Sequence, residues 1–247
     1  MFKPVSEQIK RIATQKTEVI KQLESLFVGR TAVYIDYANV RPWANRLKWH
    51  IDLRRLKRFL DAFNNIVAAK FYYGTLSGDA ESEKRIEEAK GLGYQVRTKP
   101  VKIMNISIDS SSISPQSPAL LESFIRGCLL KKYDIETIEY LNGKFREMNK
   151  LGLLALSDQK CNFDVEIGSD MVIDKERGNT ESFVLWSGDS DFHDPVSDLL
   201  EAGKKVVLFA TAGRVSSELN DLKLKGLFIF EINKIRDFIC WKREMPQ

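Results

Sequence analysis

Apolar, β-branched runs alternate with helix-patterned segments along most of this chain, and that alternation restricts its fold more than any other feature. Thr31–Ile35 (TAVYI), Ile66–Tyr73, Tyr94–Thr98, Ser182–Trp186 (SFVLW), Lys205–Phe209 and Leu227–Phe230 read as strands. Between them Asp52 stands where it can cap a helix with Leu53, Leu56, Leu60 and Phe63 on one face. Asp79–Lys90 reads as a polar-faced helix ended by Gly91 and Gly93, and Asp164–Ile173, Val196–Ala202 and Ser216–Lys223 complete the set. Strands separated by helices predict a mainly parallel sheet with both faces covered. The 247 residues suffice for one large domain, or for a domain with an appendage.

Two regions depart from this rhythm. Residues 5–28 carry Val5, Ile9, Ile12, Ile20, Leu23 and Phe27 at helical spacing, with Pro4 suited to a helix start. A helix there can pack on its own domain or pair with a partner chain. Residues 99–119 contain NISIDSSSISPQSP, which reads as an exposed loop. In 120–148 the periodicity is ambiguous: Leu120–Leu130 suits a helix, and ETIEYLNGKFREMN suits a hairpin turning at Asn142-Gly143. The expected organisation is a helical extension over 1–29, a sheet domain over 30–235 with an insertion near 99–150, and a tail over 236–247.

The carboxylates have the most to say about chemistry. WSGDSDFHDP puts Asp189, Asp191 and Asp194 within six residues. Pro195 suits the first helical position and Asp194 the cap before it, so Asp194 is expected to be structural. Asp36 and Asp189 follow separate strands at their C-terminal ends, where an open α/β sheet binds its ligands. If those strands are neighbours, the two carboxylates converge, with Asp191 on the next turn and Asp164 at a helix start. Either these are separate turn and capping residues, or like charges are held together by a cation. Mg²⁺ or Mn²⁺ fits an all-oxygen set and suits phosphodiester hydrolysis. Two histidines and three scattered cysteines, Cys128, Cys161 and Cys240, argue against zinc and against a disulfide framework.

The ordered blocks YIDYANV (34–40), DVEIGSD (164–170) and SGDSDFHDPVSDLLEAGKKVVLF (187–209), followed by SELNDLKLKGLFIFEI (217–232), resemble the NYN/LabA-like (DUF88) branch of the PIN-like nuclease superfamily. The resemblance covers roughly 30–235, apart from 99–150. It implies a three-layer α/β/α domain holding a divalent-metal-dependent ribonuclease centre. Asp36, Asp164 and Asp189 then form the main metal-directed set, with Asp191 a fourth ligand, direct or through water. Asn39 falls on the polar partner of the first aspartate, to hold water or a phosphate oxygen. Asp170 falls on the second member of the central pair, but six residues along a helix turn it about 120° from Asp164, so it suits an orienting role. Ser187 can bond a substrate phosphate or close its turn. Where the family usually has a lysine three residues before the central aspartate, this chain has Cys161, with Lys160 one place earlier.

Arg41, Trp43, Arg46, Lys48, Trp49, His50, Arg54 and Arg55 follow Asp36 closely, a mixture suited to RNA phosphates and unpaired bases, although the tryptophans equally suit the core. Lys131, Lys132, Lys144 and Arg146 extend that surface or are simply solvated, and His193 has no role assigned by the resemblance. The formal net charge of +4 permits a polyanion without demanding one. With no signal-peptide core and no membrane span, a soluble cytoplasmic protein is expected. RNA is the expected partner and DNA the alternative, with self-association open to the N-terminal helix or the insertion. Three activities stand at this stage: a metal-dependent endoribonuclease, an RNA-binding or regulatory protein that cleaves weakly or not at all, and a DNA or flap nuclease.

Overall fold

The computed structural model describes residues 1–4, 6–75, 78–107, 112–123, 131–151, 155–160, 162–211 and 213–244. They fall into two compact units, one of residues 1–101 and 161–247, the other of residues 102–160. Helices of five or more residues are numbered below.

The larger unit is built on six parallel strands: β1 (Thr31–Asp36), β2 (Ile66–Tyr72), β3 (Gln95–Arg97), β6 (Ser182–Trp186), β7 (Lys205–Ala210) and β8 (Phe228–Glu231), in the order β3-β2-β1-β6-β7-β8. All six strands expected from sequence form, with ends moved by a residue or two. Chain order runs outward from β1 in one direction and outward from β6 in the other. The crevice beyond the C-terminal ends of β1 and β6 is therefore the topological switch point, the usual ligand position in such sheets.

Alternation along the strands assigns the two faces. Tyr34 of β1 stacks on Phe183 of β6, and its hydroxyl donates to Asp174 of α6 (Asp164–Glu176) at 2.5 Å. This face is covered by α6 and α7 (His193–Glu201). On the other face Trp186 stacks on Phe209, which in turn stacks on Phe27. That face is closed by α1 (Glu7–Gln15), α2 (Thr17–Leu26) and α3 (Leu53–Asp61). The arrangement is a three-layer α/β/α fold. Trp186, Phe183 and Phe209 are essentially inaccessible, each burial stabilising the fold by about 1.5–3 kcal/mol or more.

Several expectations need correcting. The helix expected over 5–28 is two helices, Glu7–Gln15 and Thr17–Leu26, broken at Lys16, whose φ of −119° and ψ of 36° leave the helical region; Val5 lies outside the described residues. Ile9, Ile12, Ile20, Leu23 and Leu26 are buried in the same core as the sheet, so the N-terminal helices spend their apolar faces on their own domain. The expected C-terminal tail also belongs to that core through Phe238, Ile239 and Cys240, and Asp52 N–H donates to the Ile239 carbonyl. As expected, Asp52 caps α3; Asp79, read from sequence as the first residue of its helix, instead caps α4 (Ala80–Gly91).

In the smaller unit, part of the expected loop is a strand: β4 (Lys102–Ser107) pairs antiparallel with β5 (Ala155–Lys160). The hairpin reading of Asn142-Gly143 fails, because both sit inside α5 (Ile135–Lys150). The buried Asn142 amide donates to the Pro115 and Ser117 carbonyls at 2.9 and 2.8 Å, which explains a polar residue at that point. Of the expected helix over Leu120–Leu130, Leu121–Ser123 form a 3₁₀ turn; 124–130, including Cys128, lie outside the described residues, as does Cys161. No helix among the described residues is long and apolar enough to cross a membrane.

Candidate metal centre

Asp36 is the last residue of β1 and is only 5 % exposed. Its Oδ1 accepts from Asn39 N–H and its Oδ2 from the Ser187 hydroxyl, both at 3.3 Å. Ser187 is fully buried just beyond β6, and its Oγ also accepts from Asp189 N–H at 3.3 Å. This hydroxyl thus joins the ends of the two central strands, which gives Ser187 the turn-closing role. Burial pushes the Asp36 carboxyl up to about 6, against the lowering effect of its Asn39 and Ser187 bonds; the Asp189 charge adds to the rise.

Asp164 opens α6 on the adjoining face. Neither of its oxygens is exposed and neither accepts from an N–H or hydroxyl donor among the described residues. Burial, then the charges of Asp36, Asp189 and Asp191, push its carboxyl up to about 7, and a carboxyl–carboxylate bond with Asp191 favours the protonated form further. A buried carboxylate with no donor, facing three others, is costly in the ionised form. A divalent cation removes that cost, and all-oxygen donors suit a hard ion.

Asp189 caps the 3₁₀ turn Ser190–Phe192, its Oδ1 accepting from Asp191 N–H at 3.3 Å. Asp191 is exposed at the mouth. The structure thus brings Asp36, Asp164, Asp189 and Asp191 within mutual electrostatic reach. Among the described residues, however, no three acidic, histidine or cysteine side chains stand closed around a point that could hold a metal. A cation such as Mg²⁺, which keeps several waters, does not require such a closed set.

Other candidates are placed elsewhere. Asp170 accepts from the Tyr72 hydroxyl at 2.7 Å and from Arg97 at 2.9 Å, so both oxygens are committed to the sheet. With Lys99–Glu166 and Lys70–Asp174, each at 2.7 Å, it forms a row of ion pairs along α6. The 120° turn from Asp164 explains why Asp170 pairs with β2 and β3 instead of joining the cluster. Trp43 and Trp49 are buried at 1 % and 2 % exposure, Trp49 donating to Asn233 at 3.0 Å, so neither offers a face to a base. Arg41 is held by the Tyr73 hydroxyl and Glu81 at 2.7 and 2.9 Å. Arg46 is exposed and, among the described residues, hydrogen-bonds only the Gly213 carbonyl, at 3.4 Å. Asn39 is half-buried, and its side-chain amide makes no hydrogen bond among the described residues.

The capping role expected of Asp194 also fails. The 3₁₀ turn runs straight into α7, so the helix starts at His193; Asp194 lies exposed in its first turn, 2.8 Å from His193 Nδ1. Sequence reasoning passed over Gly188. A Cβ there would overlap the Arg214 carbonyl oxygen, so only glycine lets residues 213–216 pack on the acidic turn. The glycine inside the SGD triplet was the available signal.

The NYN domain family model matches residues 128–224, which include Asp164, Asp189 and Asp191 but not the strand of Asp36. The chain is 25% identical to the Low amplitude and bright protein LabA of Synechococcus elongatus over 220 residues, covering 89% of this chain and 91% of that protein. It is also similar to the crystal structure of a protein of unknown function from Vibrio parahaemolyticus. There the TM-score is 0.50 and the identity 17%, covering 85% of this chain and 95% of the other, a likeness of fold alone. The sequence blocks, the parallel sheet and the LabA relative aligned over most of its length agree in making this chain similar to the NYN and LabA-like proteins.

Proposed function

We propose that this chain is a divalent-metal-dependent ribonuclease that hydrolyses RNA phosphodiester bonds at the switch point of its sheet. The observation that carries the reading is Asp164, whose buried carboxylate oxygens receive no N–H or hydroxyl donor among the described residues and face Asp36, Asp189 and Asp191 where an open α/β sheet binds ligands. Asp36, Asp164 and Asp189 would hold Mg²⁺ or Mn²⁺, with Asp191 sharing it at the mouth. When bound, such an ion neutralises phosphate charge and lowers the pKa of water. Ser187 fixes the distance between the ends of β1 and β6 by bonding to Asp36 and to Asp189 N–H. Asn39 offers its amide to a phosphate oxygen, and of Arg41 and Arg46 the latter is less committed to protein partners. The lack of a closed ligand set among the described residues favours, as the second reading, an RNA-binding protein that cleaves poorly.

The test is cleavage of single-stranded RNA, structured RNA and matched DNA with and without Mg²⁺ or Mn²⁺, using Asp36→Asn and Asp189→Asn as controls. Metal-dependent RNA cleavage lost in both variants supports the proposal. Cleavage of DNA alone establishes the DNA-nuclease alternative, and tight RNA binding without cleavage establishes the second reading.

A further inference from the structure

Next to the acidic turn, beyond the C-terminal ends of β7 and β8, lies an open cleft of about 460 Å³, within the usual range for a small-molecule site. Its lining includes Thr211, Val215, Asn220, Lys223, Ile229 and Glu231. The wall nearest the carboxylates is formed by residues 213–216. Arg214 N–H donates to the Thr211 carbonyl at 3.0 Å, closing a turn with Gly213 at φ +69°. Ser216 N–H donates to the Gly188 carbonyl at 3.0 Å, so this wall is bonded directly to the residue before Asp189. Since neighbouring strands lie about 4.8 Å apart, the cleft opens roughly one to two strand spacings from Asp189.

The charges around it differ from those of the cluster. Arg46 lies against Gly213, and Arg214 and Lys223 are exposed on the loop and on the 3₁₀ turn Leu222–Lys225. None of these three cations forms an ion pair among the described residues. Asn220, on α8 (Ser217–Asp221), likewise has a side-chain amide with no hydrogen bond there. Aliphatic Val215 and Ile229 can cover a flat ring, an amide carries both donor and acceptor for a base edge, and free cations suit phosphate.

We infer that this cleft is a nucleotide subsite, taking the base and sugar of a residue that flanks the phosphate at the acidic cluster, with Asn220 reading the base edge and Lys223 meeting an adjacent phosphate. The inference rests on the nuclease reading for its position but makes its own claim about binding. Asn220 and Lys223 are exposed, so their replacement leaves the core intact.

The experiment is an equilibrium titration of the full chain, in EDTA, with adenosine and uridine 5′-monophosphates and with inorganic phosphate as control. Saturable nucleotide binding with Kd near or below about 1 mM is expected. Phosphate alone should bind much more weakly, and Asn220→Ala and Lys223→Ala should each weaken the nucleotide by about fivefold. No saturable binding, or equal binding by both variants, overturns the subsite. In a Mg²⁺-supported RNA cleavage assay the same variants should raise KM and leave kcat nearly unchanged. Wild-type cleavage with unaltered KM in both variants overturns the subsite alone. Nucleotide binding that is sensitive to both substitutions, in a chain that cleaves nothing, leaves the subsite standing and overturns the nuclease.

Discussion

Replacing Asp36 by Asn should make the metal-free protein more stable at neutral pH. Burial lifts this carboxyl from 3.8 to about 6. At about 1.4 kcal/mol per pKa unit, keeping it ionised costs the fold about 3 kcal/mol. The sign follows from proton binding. Between pH 3.8 and about 6 the folded chain holds this proton more firmly than the unfolded chain does, so stability falls as pH rises through that window and then levels. Asp164, raised to about 7, extends the fall toward neutrality. The amide introduced by Asp36→Asn keeps an acceptor for Asn39 N–H, but its NH₂ group cannot accept from Ser187 as the carboxylate does, which offsets about 1 kcal/mol. The net expectation is a gain of about 1–2 kcal/mol at pH 8 and a flatter dependence between pH 4 and 7. Urea unfolding in EDTA at several pH values measures this, and Mg²⁺ should then stabilise the wild type more than the variant. A variant less stable than wild type by more than about 1 kcal/mol at pH 8 would refute the electrostatic reasoning.

Three further substitutions separate the roles assigned above. Gly188→Ala should lose about 1–3 kcal/mol and weaken Mn²⁺ binding, because residues 213–216 must move off the acidic turn; thermal melts and a Mn²⁺ titration report both. Asp170→Asn should lose about 1 kcal/mol by weakening its bond to Arg97 and leave Mn²⁺ affinity unchanged, and a marked loss of Mn²⁺ binding would return Asp170 to the metal set. Asp194→Ala should change stability by less than about 0.5 kcal/mol, whereas a loss near 1 kcal/mol would restore its capping role.

The sheet was legible because each strand is a short apolar or β-branched run and each intervening helix has a cap or a glycine stop. Asp36 and Asp189 were legible for the related reason that they end such runs. What the residues alone left open was whether TAVYI and SFVLW pair, a question of strand order that the family resemblance and then the β1–β6 register answered. The smaller unit was hardest to read. Asn142-Gly143 is a strong local turn signal, and its helix is held by tertiary bonds from the Asn142 amide to distant carbonyls. Trp43 illustrates a similar limit: a basic-aromatic stretch looks alike whether the aromatic faces solvent or core, and here packing claims it. Asp194 misled because a 3₁₀ turn carries the backbone into the helix two residues before Pro195.

The central claim is that the carboxylates at the ends of β1 and β6 and at the start of α6 hold one hard cation where a phosphodiester can reach it. Anomalous diffraction from crystals soaked in Mn²⁺ tests it most directly. A peak about 2.1 Å from an Asp164 oxygen and from an oxygen of Asp36 or Asp189 is the predicted result. No peak at that crevice, with Mn²⁺ bound elsewhere on the chain, would contradict it.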